Sequence, residues 1–126
     1  MSAGAGGDPR SDSADLAALP ADLRDQSLSR TQIILSFEGA TRALRELTPA
    51  GFRVERWEGW VKMRDGGRAR SLAHGGSFAL PRDAARAAEV ATQGMSRARD
   101  KWQRDPEYPG AELYFALAFS RVEPAT

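Results

Sequence analysis

Residues 52–102 read FRVERWEGWVKMRDGGRARSLAHGGSFALPRDAARAAEVATQGMSRARDKW, and most of the architecture follows from them. The first half is rich in β-branched and aromatic residues around a turn; the second is one long alanine-rich segment. Asp65-Gly66-Gly67 is a hairpin signal, because Asp-Gly and Gly-Gly tolerate positive φ. Glu58-Gly59 is a weaker one. Apolar alternation runs through Phe52 and Val54, then changes phase to Trp57, Val61 and Met63. Either a bulge lies within residues 55–59 or one long strand is two short ones. Pro81 suits the first turn of a helix. From there Ala84, Ala88, Ala91, Met95, Ala98 and Trp102 recur three and four residues apart, which predicts an amphipathic helix lying close to a sheet. Asp105-Pro106 and Pro109-Gly110 end it.

On the N-terminal side, TQIILSF (31–37) predicts a strand that is apolar on both faces and therefore interior to its sheet. ATRALRELTP (40–49) sets Ala40, Ala43, Leu44 and Leu47 at helical spacing, stopped by Pro49 and Gly51. On the C-terminal side, ELYFALAFSRV (112–122) predicts a strand turning Leu113, Phe115, Leu117 and Phe119 inward. The elements then run β-α-β-β-α-β. That order predicts the α+β class, with a ferredoxin-like antiparallel sheet and helices on one face. A last strand at the sheet edge would leave Tyr114, Ala116 and Ala118 exposed, implying pairing with a protein partner or a second copy.

The first twenty residues, MSAGAGGDPRSDSADLAALP, are rich in Gly, Ser, Ala and Asp and bury too little to offset their ordering entropy. Leu16, Leu19, Leu23 and Leu28 are loosely spaced like one helical face, but Pro20 interrupts them. The expected division is a disordered N-terminal tail over residues 1–30 and a single α+β domain over residues 31–126. The opening segment has no basic stretch followed by an apolar one, so a secretory leader is not expected. The longest strongly apolar run, 113–119, is too short to cross a bilayer. A cytoplasmic protein without membrane contact is the expectation.

The chain has 126 residues and a net charge of +1. Residues 1–30 carry −2 and the remainder +3, a mildly basic domain behind a mildly acidic tail. Arginine outnumbers lysine sixteen to two, which reflects either a GC-rich genome or a use for bidentate anion contacts. The absence of cysteine excludes disulfides, thiolate nucleophiles and cysteine-based metal centres. His74 is the sole histidine, with Ser71 and Ser77 nearby. A hydrolytic triad also needs an orienting acid and an oxyanion site, and nothing marks the strained turn of a nucleophilic serine. One histidine does not make a metal centre. His74-Gly75-Gly76-Ser77 lacks the length and lysine of a phosphate loop. Glu38, Glu46, Glu55 and Glu58 have no spacing that forces two onto one catalytic face. No catalytic, cofactor-binding or metal-ligating residue is expected, and the reading favours a non-enzyme.

The basic hairpin is the one candidate site. Lys62, Arg64, Arg68 and Arg70 flank its turn, with Trp57 and Trp60 nearby. Guanidinium groups can hold phosphates while indoles stack on bases; the tryptophans can equally be packing residues. Arg97, Arg99, Lys101 and Arg104 form a second cluster that also complements the helix dipole.

FRVERWEGWVKMRD, GRARSL, GSF and DAARAAEVA together resemble the three-strand-plus-helix pattern of plant ethylene-response-type DNA-binding domains. Integrase arm-binding domains are similar. Those domains carry F/Y-R-x-V-R, W-x-W-x-x-x-I-R-D, a Gly-(Ser/Thr)-Phe step and a helix opening E-A-A-R-A. The resemblance covers about residues 52–92, and LAHGGSF carries extra residues before its phenylalanine. It implies DNA contacts from Arg53, Arg56, Trp60, Lys62, Arg64, Arg68 and Arg70 on the sheet face. The expected function is a small regulatory binding module for nucleic acid. The alternative is a protein-interaction module (an inhibitor, immunity-type or assembly protein) using the sheet edge or the open face. A third reading is a small ferredoxin-like enzyme or small-molecule binder.

Overall fold

The computed structural model describes residues 14–75 and 80–122, the side chains of residues 72–75 excepted. Its elements are α1 (Ala14–Ala18), α2 (Ala21–Gln26), β1 (Ile33–Leu35), α3 (Phe37–Leu47), β2 (Phe52–Lys62), β3 (Arg68–Gly75), α4 (Ala84–Arg104) and β4 (Glu112–Arg121). The class is α+β, and the four strands form one antiparallel sheet in the order β1-β4-β2-β3. None of the helices among the described residues is long and apolar enough to cross a membrane.

The β2–β3 hairpin closes where Asp-Gly-Gly predicts. Gly66 sits at φ 92°, a conformation that costs glycine little. The Gly67 N–H donates to Asp65 Oδ1 at 2.9 Å, and the Met63 N–H donates to the Gly67 carbonyl at 2.7 Å. The phase change in β2 is a bulge: its register against β4 shifts between Val54 and Arg56. Residues 52–75 are thus two strands, and β2 is continuous through Glu58-Gly59. The hairpin is also irregular between Glu58 and Trp60, where two steps of β2 face five of β3.

Helix α4 starts one turn later than Pro81 predicts. Asp83 is its N-cap, with a carboxylate accepting from the Arg86 N–H at 2.8 Å. The buried stripe is Ala87, Ala91, Met95, Ala98 and Trp102. It matches the expectation from Ala91 onward, whereas in the first turns Ala87 replaces Ala84 and Ala88. Ala88 instead faces a groove against α3, beside Leu44 and Thr48. Gly94 lets the helix descend onto the sheet, because a Cβ there would stand 2.7 Å from Cζ2 of Trp57.

Helix α3 takes residues from the predicted first strand. Ser36 caps it by accepting from the Gly39 N–H at 3.2 Å, so β1 stops at Leu35 and Phe37 opens the helix. Phe37 meets Phe115 edge-on with ring centres 6.3 Å apart, and Trp57 meets Phe115 likewise at 5.8 Å. The Arg99 guanidinium lies 4.1 Å from the centre of the Phe37 ring and ties α4 to α3.

Two expectations fail, and the failures are linked. A ferredoxin-like sheet with an interior first strand and an outer last strand is not what forms. Here β4 lies between β1 and β2, and β1 is at the edge. The other failure is the disordered tail over residues 1–30, of which residues 1–13 lie outside the described residues. Residues 14–26 include two short helices, and Leu16, Leu19 and Leu23 join the same hydrophobic core as Ile33, Leu44, Trp57 and Phe115. The segment supplies the cover that lets β1 be an edge. The Leu28 N–H donates to the Ile34 carbonyl, and the Ile34 N–H donates to Ser27 Oγ, each at 3.0 Å. Ile34 is therefore 1% exposed without a strand beyond it. β1 is also too short to pair all of β4, leaving the far end of β4 unmatched on that side. There Asp15 accepts the Phe119 N–H at 3.1 Å. Because β4 is interior, the edge pairing with a partner expected of it is unavailable.

Candidate nucleic-acid interface on the open face of the sheet

The bulge between Val54 and Arg56 sorts the two tryptophans. Strict alternation from Phe52 and Val54 would turn Arg56, Glu58 and Trp60 into the core. One extra residue reverses the phase, so Trp57 and Val61 are buried under α4 while Arg56 is exposed. Trp57 is core. Trp60 belongs to the opposite face, which carries no helix α3 or α4.

Cross-strand register sets the rows on that face. Arg70, Trp60 and Tyr114 share one row, across β3, β2 and β4. Arg68, Lys62 and Glu112 share the next. On the other side of Trp60, Glu58 aligns with Ala116 and then Ile34, and Arg56 aligns with Ala118. Five of the predicted cations and Trp60 therefore come together: Arg53, Arg56, Lys62, Arg68 and Arg70. Arg64 does not join them. It lies past the end of β2, with Nε 3.4 Å from the Gly110 carbonyl.

The cations differ in what already holds them. Arg53 pairs with Glu55 at 2.6 Å, and Glu55 also accepts from Ser120 Oγ at 2.7 Å. Arg70 Nε meets Glu58 at 2.9 Å. Arg68 donates to the Leu28 carbonyl at 2.6 Å, which fastens the segment before β1 to the hairpin. Arg56 and Lys62 have no hydrogen bond or ion pair among the described residues. Their charges are the ones open to an anion. The Trp60 indole N–H is buried and has no acceptor among the described residues.

Two concavities mark this face. One, of about 360 Å³, is lined by Thr31, Gln32, Arg56, Glu58, Ala116 and Ala118 among others. The other, of about 510 Å³, includes Ser29, Thr31, Ile34, Trp60, Gly66 and Arg68. They share Thr31 and Gln32. The sequence reading missed the part played by Tyr114, Ala116 and Ala118. Their signal was the apolar outer face of the last strand, attributed there to an edge that does not exist.

The second basic cluster, Arg97, Arg99, Lys101 and Arg104, lies on α4, across the sheet from Trp60. Arg99 is committed to Phe37. The two clusters do not form one surface. The side chain of His74 lies outside the described residues, as do Gly76 and Ser77. No group of three potential metal ligands occurs among the described residues. Comparison with family models, with curated proteins and with solved structures finds no match for this chain.

Proposed function

We propose that this chain is a non-enzymatic, regulatory binding module that holds nucleic acid on the open face of its sheet. The observation that carries the reading is that Arg56 and Lys62, both without an acidic partner, flank the Arg70–Trp60–Tyr114 row on one face of β2. Unpaired cations supply phosphate contacts, and a flat aromatic on a central strand supplies a stacking platform. The resemblance to three-strand-plus-helix DNA-binding domains points to the same residues, apart from Arg64. A protein-interaction module is the competing reading; of the two sheet edges it would use β3 (Arg68–Gly75), because β1 offers none. β1 is three residues long and its edge is occupied by Ser27 and Leu28.

The test is titration of a fluorescent mixed-sequence oligonucleotide at several salt concentrations. Wild type should bind at low salt and weaken steeply as salt rises. The Arg56→Ala, Lys62→Ala double variant should fold normally, since neither side chain has a partner to lose. Each phosphate contact removed should lower the logarithmic salt slope by about 0.7–0.9. No binding by either protein at low salt, or equal binding by both, would sink the reading and put protein interaction first.

A further inference from the structure

We infer that the open face takes a single polynucleotide strand with unpaired bases, laid in a furrow over β4; this rests on the nucleic-acid reading above. The furrow comes from residue size. On this face β4 presents Tyr114 and then two small residues, Ala116 and Ala118. On one side stand the long side chains of Arg56, Glu58 and Trp60 from β2. On the other stand Thr31 and Gln32, the exposed residues before β1, with Ile34 buried beneath them. Small residues between long ones make a trough, and the first concavity, lined by Ala116 and Ala118, opens along it.

Its width selects the ligand. Neighbouring strands are about 4.8 Å apart, so the backbones of β2 and β1 are about 10 Å apart across β4 and the gap between their side chains is narrower. A duplex keeps its paired bases inside, reachable only through its grooves, and cannot lower them into a space of that size. One sugar-phosphate strand, or a base standing edge-on, fits. The charges suit the same path. Arg56 and Lys62 lie six residues apart on β2, about 20 Å, with Arg56 beside the furrow and Lys62 one row beyond its Trp60–Tyr114 end. That is long enough for several nucleotides of one strand to meet both.

Trp60 and Tyr114 supply what an unpaired base needs. They are direct cross-strand partners at one end of the furrow, on its two central strands. Aromatic faces on the middle strands of a sheet stack splayed bases, which a closed duplex does not offer. The Trp60 indole N–H lacks an acceptor among the described residues, and a buried donor without one is costly. Movement of the ring onto a base would give that N–H a phosphate or base oxygen. Glu58 and Glu112 border the row and limit how much backbone charge can lie there.

The experiment compares a mixed-sequence single-stranded DNA 12-mer with a hairpin duplex of the same composition, at low salt. Single-stranded DNA should bind about tenfold tighter or more, as one stacked base would produce. Trp60→Ala should remove most of that preference. Ala118→Phe, which fills the furrow floor without altering charge, should do the same. Circular dichroism checks that each variant folds; if one does not, the other still decides. Equal binding of both DNAs would overturn the furrow while leaving nucleic-acid binding intact. So would a single-strand preference that survives the folded variants. Binding of neither DNA would overturn both.

Discussion

Gly94 of α4 rests directly against the Trp57 indole: a Cβ built on Gly94 would lie 2.7 Å from Cζ2, 3.2 Å from Cε2 and 3.3 Å from Nε1. Trp57 is 6% exposed and wedged against Phe115, so the ring has little room to retreat. Helix propensity alone would favour alanine at this position by up to about 1 kcal/mol. Overpacking a dense core costs about 1–3 kcal/mol. Gly94→Ala should therefore destabilise the protein by about 1–2 kcal/mol, read as a lower denaturant midpoint. Trp57→Phe removes the crowded atoms, so the same change should cost less in that background. A Gly94→Ala protein more stable than wild type would contradict this packing.

The N-terminal helices should prove structural. Asp15 Oδ2 accepts the Phe119 N–H at 3.1 Å, and Leu16, Leu19 and Leu23 are 8%, 3% and 1% exposed. Asp15→Ala leaves that strand N–H without its acceptor, at a cost of about 1–3 kcal/mol. Deleting residues 1–20 also removes two buried leucines, each worth about 1.5–3 kcal/mol. The deletion should lower stability, although the entropy regained by the shorter chain offsets part of the loss. An unchanged melting temperature would show that this segment adds nothing to the core.

Acid should weaken one specific tie between α2 and α3. The Arg42 guanidinium donates to Asp22 at 2.5 Å, and that hydrogen bond holds the Asp22 carboxyl below the usual aspartate value. A depressed folded value stabilises above the unfolded value of about 3.9 and is lost as pH falls through the folded one. The pair is exposed, so its effect is small and screened by salt. Asp22→Asn should melt slightly below wild type at neutral pH and converge with it in acid. A gap that persists at the acid end would mean that the carboxylate charge is not the cause.

Local pattern was sufficient for much of this molecule. Turn chemistry placed the hairpin at Asp65-Gly66-Gly67, and period placed the long helix with Ala91, Met95, Ala98 and Trp102 inward. Alternation placed Leu113, Phe115 and Leu117 on the core side. These follow from interactions within a few residues, where dihedral preference and burial agree. Part of the basic set was legible for the same reason: Arg68 and Arg70 alternate along β3 and share a face, whereas Arg53 joins Arg56 and Lys62 only through the bulge in β2.

Long-range pairing decided the rest. Ile33, Ile34 and Leu35 are apolar on both faces, which reads as an interior strand. The loop at Ser27 and Leu28 takes the place of a further strand instead, and no periodicity distinguishes that cover from a strand. Leu16 and Leu23 sit in helices too short to persist alone, and Leu19 lies between them. They become ordered only where Asp15 and the end of β4 give them a surface to bury against. The bulge at Glu55 is the sharpest case. One unpaired residue, chosen by how β2 aligns with β4, buries Trp57 and turns Trp60 to the open face. Strand periodicity is two, so a slip of one residue exchanges the faces, and only the partner strand fixes where that slip falls.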